Sequence, residues 1–466
     1  MATAPADQAQ LLEPAYRRRF IALMFLVCLF DFADRAVFAV LAQPIKEELL
    51  LTDFQIGMLQ GLAFAALYAG LALPLARLAE RASRRNIVAI CTAVWSTATI
   101  WCGFATSFAT LAIGRIGVGV GEAGFLPATN SMTGDLVPRH RRASTMALIM
   151  LGAPAGIFLG AMVGGYVAGL ASWREAFLVL GLPGLTVAIM VRLFVREPRR
   201  GLVDNVPPDP SPPPDFKAFL KTLRRKPALI FILLGSTTAS FGITAISQFL
   251  AIFLARVHEM DVPDAGALYG TISGIYIALS LLIGSFGTDW LSKRDGRWPA
   301  WGAAIGLLSA PFLYYLAFNA QDIGAATALL IVSGVMLMLF YGPSAGMIQN
   351  LLEPRMRATG IALFTLFYSL IGYGLGPVFV GFVSDRMAVS AYGPGFFADC
   401  PGGVAPEGAS AALASACASA SADGVQQALL VAICVFFVAA LFFLLASRTL
   451  REDAYIPEAA NEGAAT

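Results

Sequence analysis

Long apolar segments recur twelve times along this sequence, and they constrain its fold more than any other feature. A helix needs about 20 apolar residues to cross the hydrocarbon core of a bilayer. Only 13% of the 466 residues are charged, whereas soluble domains carry roughly 25%. Because backbone polar groups in lipid must be satisfied within their own segment, these segments are predicted to be helices. The sequence therefore predicts an all-α membrane protein with twelve transmembrane helices.

A proline-rich stretch in the middle of the chain divides the twelve segments into two groups of six. Proline runs interrupt helices and favour extended linkers. We therefore expect a cytoplasmic tail at 1–17, a six-helix bundle at 18–196, a linker at 197–227, a second six-helix bundle at 228–447 and a cytoplasmic tail at 448–466. The basic end of the linker, from Phe216 to Lys226, is compatible with an amphipathic helix on the membrane surface and equally with a solvated linker.

Two short sequences repeat about half a chain apart. PRHRRASTMAL begins at Pro138, after the fourth segment, and PRMRATGIAL begins at Pro354, after the tenth. Repeats in parallel register are typical of transporters whose halves are related by an axis along the membrane normal. The repeat therefore predicts two similar halves.

The distribution of basic residues predicts the orientation of the chain. Most of the 32 Lys and Arg residues fall in alternate loops, and the predicted outer segments contain only Lys46, Arg174, Arg256 and Arg386. Cytoplasmic loops are enriched in Lys and Arg, so we expect both termini in the cytoplasm of a multi-pass protein of the cell membrane. The net charge of only +2 offers no basic surface for nucleic acid.

Five charged residues lie inside two predicted spans. Asp31, Asp34 and Arg35 fall in the first span, and Arg115 and Glu122 fall in the fourth. Each charge at mid-bilayer costs at least ~2.5–3.5 kcal/mol, so these residues are expected to avoid lipid. They are either a permanent ion-pair network that joins the two spans or a proton and substrate site that faces an aqueous cavity.

Spacing within the fourth span places Arg115 and Glu122 on one helix face, about 10 Å apart along the axis. Gly119 lies between them and is expected to leave room for a ligand. The other glycines of this span, Gly114, Gly117, Gly121 and Gly124, form a stripe that predicts close helix packing.

The second half offers polar rather than charged side chains inside its spans. Gln248, Tyr341 and Tyr368 either line the transport cavity or make ordinary hydrogen bonds between helices. In the loop at 387–424, Cys400 and Cys417 are predicted to form a disulfide, because this loop faces the oxidising side of the membrane.

The sequence shows no set of residues typical of an enzyme. Its only histidines, His140 and His258, fall in predicted loops, and no Walker motif is present. We therefore expect no catalytic centre, no metal and no cofactor other than protons as coupling ion. A receptor or scaffold would be expected to carry a large soluble domain, which the sequence lacks.

The loop after the second span, ARLAERASRR from Ala76 to Arg85, resembles the signature of the major facilitator superfamily, of the form G-x-L-a-D-r-x-G-r-r. Ala76, Glu80 and Ser83 depart from that pattern. The resemblance implies an inner gate formed by Arg77, Glu80, Arg81 and Arg84. The alternative is that these basic residues only set the topology.

Two further segments, FDFADRAVFAVLAQPIKEEL in span one and GRIGVGVGEAGFLPATNSMTGDLVP in span four, are similar to the Spinster family of that superfamily. This branch is associated with sphingosine 1-phosphate and lysophospholipid transport. The resemblance implies proton coupling at Asp34 and Glu122 and substrate binding at Arg35 and Arg115. Asp31 is an additional acid that we assign to the substrate site.

These observations predict a monomeric secondary transporter that moves amphipathic lipid-like anions by alternating access, coupled to protons. The alternative is a proton-coupled exporter of small polar metabolites or drugs. Low dielectric favours the neutral form of Glu122, and Arg115 on the same face is expected to favour its carboxylate. An anionic substrate that binds Arg115 would then cause Glu122 to take up a proton.

Overall fold

The computed structural model describes residues 8, 10–203, 216–353 and 356–454. Parts of the predicted tails and of the predicted linker lie outside these residues. Over the described residues the chain is helical and contains no strand. Eleven helical segments are long and apolar enough to cross a membrane. The first predicted span, with its three charges, lies in a further helix of 35 residues, Pro14–Glu48. Together with the eleven apolar segments, this helix accounts for the twelve predicted spans.

Within the described ranges, twenty α-helices make up these spans and their connections. In the first half they are α1 (Pro14–Glu48), α2 (Asp53–Gln60), α3 (Leu62–Arg81), α4 (Arg84–Gly103), α5 (Phe108–Glu122), α6 (Phe125–Leu136), α7 (Arg139–Met150), α8 (Gly152–Leu170) and α9 (Trp173–Phe194). After them come α10 (Phe216–Arg225), α11 (Pro227–Val257), α12 (Val262–Ser292), α13 (Trp298–Phe318), α14 (Ile323–Met338), α15 (Tyr341–Leu351), α16 (Arg357–Phe367), α17 (Gly374–Tyr392), α18 (Phe396–Asp399), α19 (Ala411–Ile433) and α20 (Val435–Thr449). The basic end of the linker was predicted to be either a helix or a solvated linker, and the structure shows a helix there, α10.

Several spans consist of two helices that meet at a break. The eleventh span contains a π-helical turn, Tyr368–Tyr373, just before α17. Proline has no N–H and its ring clashes with the carbonyl four residues earlier. Pro377 therefore removes the hydrogen bond to Tyr373, where the π turn ends.

The glycine stripe of the fourth span packs it against the third, as predicted. Added Cβ atoms on these glycines would collide with Cys102, Ala98, Trp95 and Cys91 of α4, in that order along the helix. Successive glycines therefore meet successive turns of α4. The two backbones can approach closely only because no side chain stands between them.

A second glycine row brings α8 against α1. Gly152, Gly156 and Gly160 lie one turn apart, and Cβ atoms on Gly156 and Gly160 would overlap the backbone of Leu29 and Ala33. Helix α8 therefore packs on the face of α1 that contains Leu29 and Ala33. The charged residues of α1 are thereby held in a fixed register.

Two compact units are distinguished by their internal contacts. The first comprises 1–210, 245–275 and 373–429, and the second comprises 211–244, 276–372 and 430–466. The first unit contains all five charged residues of spans one and four. The boundaries of the two six-helix bundles stay a prediction.

The segment predicted as a loop at 387–424 is more structured than expected. Helix α19 begins at Ala411, well before the predicted start of the last span, and it carries Cys417. Cys417 is joined by a disulfide to Cys400, which follows α18. Both cysteines are fully buried, and they form a small apolar cluster with Phe396 and Ala388.

We predict that Gly156→Ala lowers the melting temperature of the purified protein, because its Cβ atom would collide with the backbone carbonyl of Leu29. Overpacking of this kind costs about 1–3 kcal/mol. Gly70→Ala is the matched control, since nothing lies within 4 Å of its added Cβ atom. Equal melting temperatures for the two variants would show that the α1–α8 contact does not limit stability.

Candidate functional site

All five charged residues of the first and fourth spans are assembled at one place in the first unit. Asp31, Asp34, Arg115 and Glu122 each expose 4% or less of their surface, and the Arg35 side chain exposes 12%. The glycine contacts described above place α5 against α4 and α1 against α8. We call these five residues the central cluster.

Arg35 of α1 makes the shorter of two ion pairs that join α1 and α5. Its guanidinium lies 2.6 Å from Glu122 Oε2, and its Nε donates a second hydrogen bond to the same oxygen at 2.8 Å. The same guanidinium lies 3.6 Å from Asp31 Oδ2, one turn earlier on α1. One cation therefore serves two carboxylates that come from different helices.

Arg115 has a different partner from the one the sequence suggested. It lies 3.5 Å from Asp34 Oδ2, and its Nε donates to the Leu59 carbonyl at 3.4 Å. Asp34 also accepts a short hydrogen bond from the Thr99 hydroxyl. Arg115 therefore pairs directly with Asp34, and the cation in direct contact with Glu122 is Arg35 of α1.

Aromatic rings surround the Arg35 guanidinium. The ring centroids of Phe32, Phe64, Tyr68 and Tyr373 lie between 4.9 and 5.5 Å from its central carbon. Desolvated cation–π contacts can each contribute about 2 kcal/mol or more. The rings thus help to hold a charge that lipid would reject, and they form an apolar wall beside it.

Two carboxylate oxygens in the central cluster are buried without a hydrogen-bond partner among the described residues. They are Asp31 Oδ1 and Glu122 Oε1. Buried acceptors normally have partners, so both oxygens require a ligand, a water or a proton. Gly119 does not supply the expected ligand space, because its Cβ position is occupied by the backbone of Phe64.

A second buried cluster, which sequence reasoning missed, lies at the predicted outer end of the first unit. Asp53 accepts from Lys46 Nζ at 2.7 Å and from two nitrogens of Arg256 at 2.7 and 2.8 Å. The Ser384 hydroxyl donates to it at 2.6 Å. Lys46 and Arg256 are two of the four basic residues in the predicted outer segments. Their rarity there is the sequence feature that could have pointed to this cluster. We call this group, with Asp385, the Asp53 cluster.

Asp385 ties the eleventh span to the N-terminus of α2. Its two oxygens accept from the backbone N–H groups of Asp53 and Phe54 at 3.0 and 2.9 Å. A carboxylate at a helix N-terminus is favoured by the unsatisfied N–H groups and by the helix dipole. The Asp53 cluster therefore contains two acids and two bases from four separate helices.

A third network is built around Arg84. Of the four predicted inner-gate residues, Arg84 is the one that takes part in it. Arg84 is buried and bonds to Asp135 through a short contact and to Glu197 Oε1 at 2.7 Å. Arg77, Glu80 and Arg81 are exposed. The structure thus brings Arg84 to acids outside the signature loop, and it does not bring the other three residues together with it.

Glu197 lies after the sixth span, so its ionisation depends on an aqueous rather than a lipid setting. Burial acts to raise its pKa, but hydrogen bonds from the Arg85 backbone and from Arg84 and Ser83 outweigh that effect and lower the pKa. Glu197 is therefore ionised at neutral pH, and the stabilisation it gives is lost only in acid, as pH falls through that lowered pKa.

The three polar residues predicted in the second half lie in different surroundings. Gln248 belongs to the first unit, where its backbone carbonyl accepts from Gln60 Nε2 at 3.0 Å. Tyr341 and Tyr368 belong to the second unit, where their rings lie 5.5 Å apart. Among the residues described, no group of three His, Cys, Asp or Glu side chains is arranged to hold a metal ion.

Comparison with known proteins identifies relatives over most of the chain. A model of the Major Facilitator Superfamily matches residues 23–389. An MFS-type efflux pump of Mycolicibacterium smegmatis is 31% identical over 79% of this chain and 84% of its own. The sphingosine-1-phosphate transporter SPNS2 of Xenopus tropicalis is 24% identical over 77% of this chain and 72% of its own. A bacterial homolog of the human lysosomal transporter Spinster, in an inward-facing and occupied conformation, is 29% identical, with a TM-score of 0.85, and covers 96% of this chain and 100% of its own.

We predict that Asp53→Asn lowers the free energy of unfolding by ~3–5 kcal/mol, because it leaves Lys46 and Arg256 buried without their carboxylate. Thermal unfolding of the purified protein measures the change. Glu48→Gln is the control: it removes an ion pair to Arg174 in which the Glu48 side chain is 48% exposed, and such pairs are worth at most about 1 kcal/mol. Similar losses in the two variants would contradict a stabilising role specific to the Asp53 cluster.

Proposed function

Because this chain belongs to the major facilitator superfamily, we propose that it is a secondary transporter that couples the movement of lipid-like anions to protons. The family makes it a multi-pass membrane transporter rather than an enzyme. The nature of the substrate and the coupling ion are the proposed part. The observation that carries them is the central cluster, in which buried acids and arginines meet inside spans one and four.

Arg115 is the more loosely paired of the two cations, although its side chain is 3% exposed against 12% for Arg35. Its distance to Asp34 is 3.5 Å, whereas Arg35 approaches Glu122 to 2.6 Å. Planar guanidinium groups suit phosphate, which can accept two parallel hydrogen bonds. A phosphate-bearing headgroup would therefore bind Arg115 first and then compete with Glu122 for Arg35.

Competition for Arg35 supplies the coupling step. In its present position Arg35 stabilises the Glu122 carboxylate. When the substrate anion takes over that guanidinium, the buried carboxylate loses its partner and becomes the group that accepts a proton. In the same way, Asp34 would accept a proton when the substrate anion takes over the guanidinium of Arg115. The roles proposed for Asp34 and Glu122 thus need no direct contact between Arg115 and Glu122.

Alternating access requires barriers on both sides of the central cluster. We assign the outer barrier to the Asp53 cluster and the inner barrier to Arg84 with Asp135 and Glu197. This assignment uses the orientation predicted from the basic residues, with both termini in the cytoplasm of a cell-membrane protein that works as a monomer. Gln248, Tyr341 and Tyr368 are candidates for contacts with the substrate in the second half.

A lipid-like substrate is favoured over a small polar solute by the apolar wall beside Arg35. The four aromatic rings there would suit the first part of an acyl or sphingoid chain whose headgroup is held by the arginines. Relatives described as a sphingosine-1-phosphate transporter and as a homolog of Spinster support this choice. The relative described as an efflux pump keeps small polar metabolites and drugs as the second candidate.

We predict that Glu122→Gln and Asp34→Asn each abolish the stimulation of transport by an imposed pH gradient. The assay follows sphingosine 1-phosphate and lysophosphatidylglycerol in proteoliposomes. Arg115→Ala is expected to weaken binding by about thirtyfold or more, since truncating one partner of a buried charge pair costs ~2–5 kcal/mol. Glu407→Gln, an exposed position, is the control. Full gradient-driven transport by Glu122→Gln would favour a purely structural ion-pair network.

We also predict that affinity rises with chain length of the lipid until the apolar wall is filled. Each buried CH₂ contributes about 0.8 kcal/mol, or roughly fourfold in affinity. Competition by short-chain lysophosphatidylglycerols, each below its micelle concentration and in one detergent, measures this slope. Glycerol phosphate, which has the headgroup alone, is the control. Equal affinity for headgroup and lipid would favour the small-solute alternative.

A further inference from the structure

The charges of the central cluster do not balance. Asp31, Asp34 and Glu122 supply three acids, whereas Arg35 and Arg115 supply two cations. If every group were ionised, the cluster would carry one net negative charge away from bulk water. Such a charge is expensive unless it is compensated. One further positive charge must therefore reside there in at least one state of the protein.

Geometry shows which of the acids carry the surplus. Asp34 has its own cation and a hydroxyl donor, Arg115 and Thr99. Asp31 and Glu122 share the single guanidinium of Arg35, at 3.6 and 2.6 Å. Each of these two acids also has one buried oxygen that finds no donor in the described part of the chain. Two carboxylates cannot hydrogen-bond each other unless one of them carries a proton.

Among the described residues, no other group around this pair supplies the missing charge. The titratable or charged side chains that face it are Cys28 and Asp34 on α1, Tyr68 on α3, Arg115 on α5 and Tyr373 next to α17. Cysteine and tyrosine side chains are neutral in their ordinary state near pH 7. Arg115 is already matched by Asp34.

We propose that Asp31 and Glu122 together bind one proton, as a carboxylic acid that donates a hydrogen bond to the neighbouring carboxylate, with Arg35 bridging the two. The inference rests on the proposed proton coupling and specifies its site. It changes the role of Asp31 from a substrate contact to one half of the proton site. When the acid O–H bond breaks, the proton passes to water on the side to which the cavity opens.

Infrared spectroscopy of the purified protein in lipid nanodiscs tests this directly. Protonated carboxylic acids have a carbonyl-stretch band that carboxylates lack and that shifts in D₂O. The wild-type protein is expected to show this band at neutral pH. Asp31→Asn is expected to lose it, because the two remaining acids then match the two arginines. Glu122→Gln should lose it for the same reason, and the exposed control Asp423→Asn should retain it.

Three results would overturn the shared proton site. They are a wild-type protein without the band, a band that persists in Asp31→Asn, and a band that appears only when sodium is replaced by a bulky organic cation. The last would identify a sodium site. Loss of the band in Asp31→Asn, together with full gradient-driven transport by Glu122→Gln, would reject the proposed coupling but retain the proton site. If the band persists in Asp31→Asn while Glu122→Gln loses gradient-driven transport, the shared proton site is rejected and the proposed coupling is retained.

Discussion

The contact between Arg35 and Glu122 is the interaction on which the rest of the first unit depends. Each residue alone would be a buried charge in a transmembrane helix, and removal of one partner of such a pair typically costs about 3–5 kcal/mol. The pair can form only if α1 and α5 keep their register. The glycine rows of α5 and α8 fix part of that arrangement, since they let α5 meet α4 and α8 meet α1 without intervening side chains.

The sequence predicted those features that depend on local spacing. Twelve spans, the glycine stripe of the fourth span and the burial of five charges all follow from apolar length and helical periodicity, and the structure confirms them. Partners across helices were not predictable in the same way. Periodicity tells which face of α5 carries Arg115 and Glu122, but it does not tell which residue of α1 stands opposite each of them.

The Asp53 cluster shows this limit most clearly. Its members come from chain positions as distant as Lys46 and Asp385, and the only signal in the sequence was that Lys46 and Arg256 are rare basic residues of the predicted outer segments. The cysteine-linked segment also contacts it: the Ser421 backbone carbonyl accepts from Arg256 at 3.4 Å, and the Ser421 hydroxyl donates to Gly403 at 2.7 Å. Sequence reasoning treated that segment as a loop, because it lies between the last two predicted spans and is rich in Ala, Gly and Ser.

Charge balance separates the two buried clusters by the kind of task that each can perform. The Asp53 cluster matches two acids with two bases, so its members can all remain ionised and their separation requires only the loss of ion pairs. A group of that kind suits a barrier that opens and closes. The central cluster has three acids for two bases, so its most favourable state depends on whether a further cation is present. In the proposed mechanism, such a group reports the binding of a proton or an anion as a change in its own pairing. The additional acid, Asp31, would then distinguish the central cluster from a static ion-pair network.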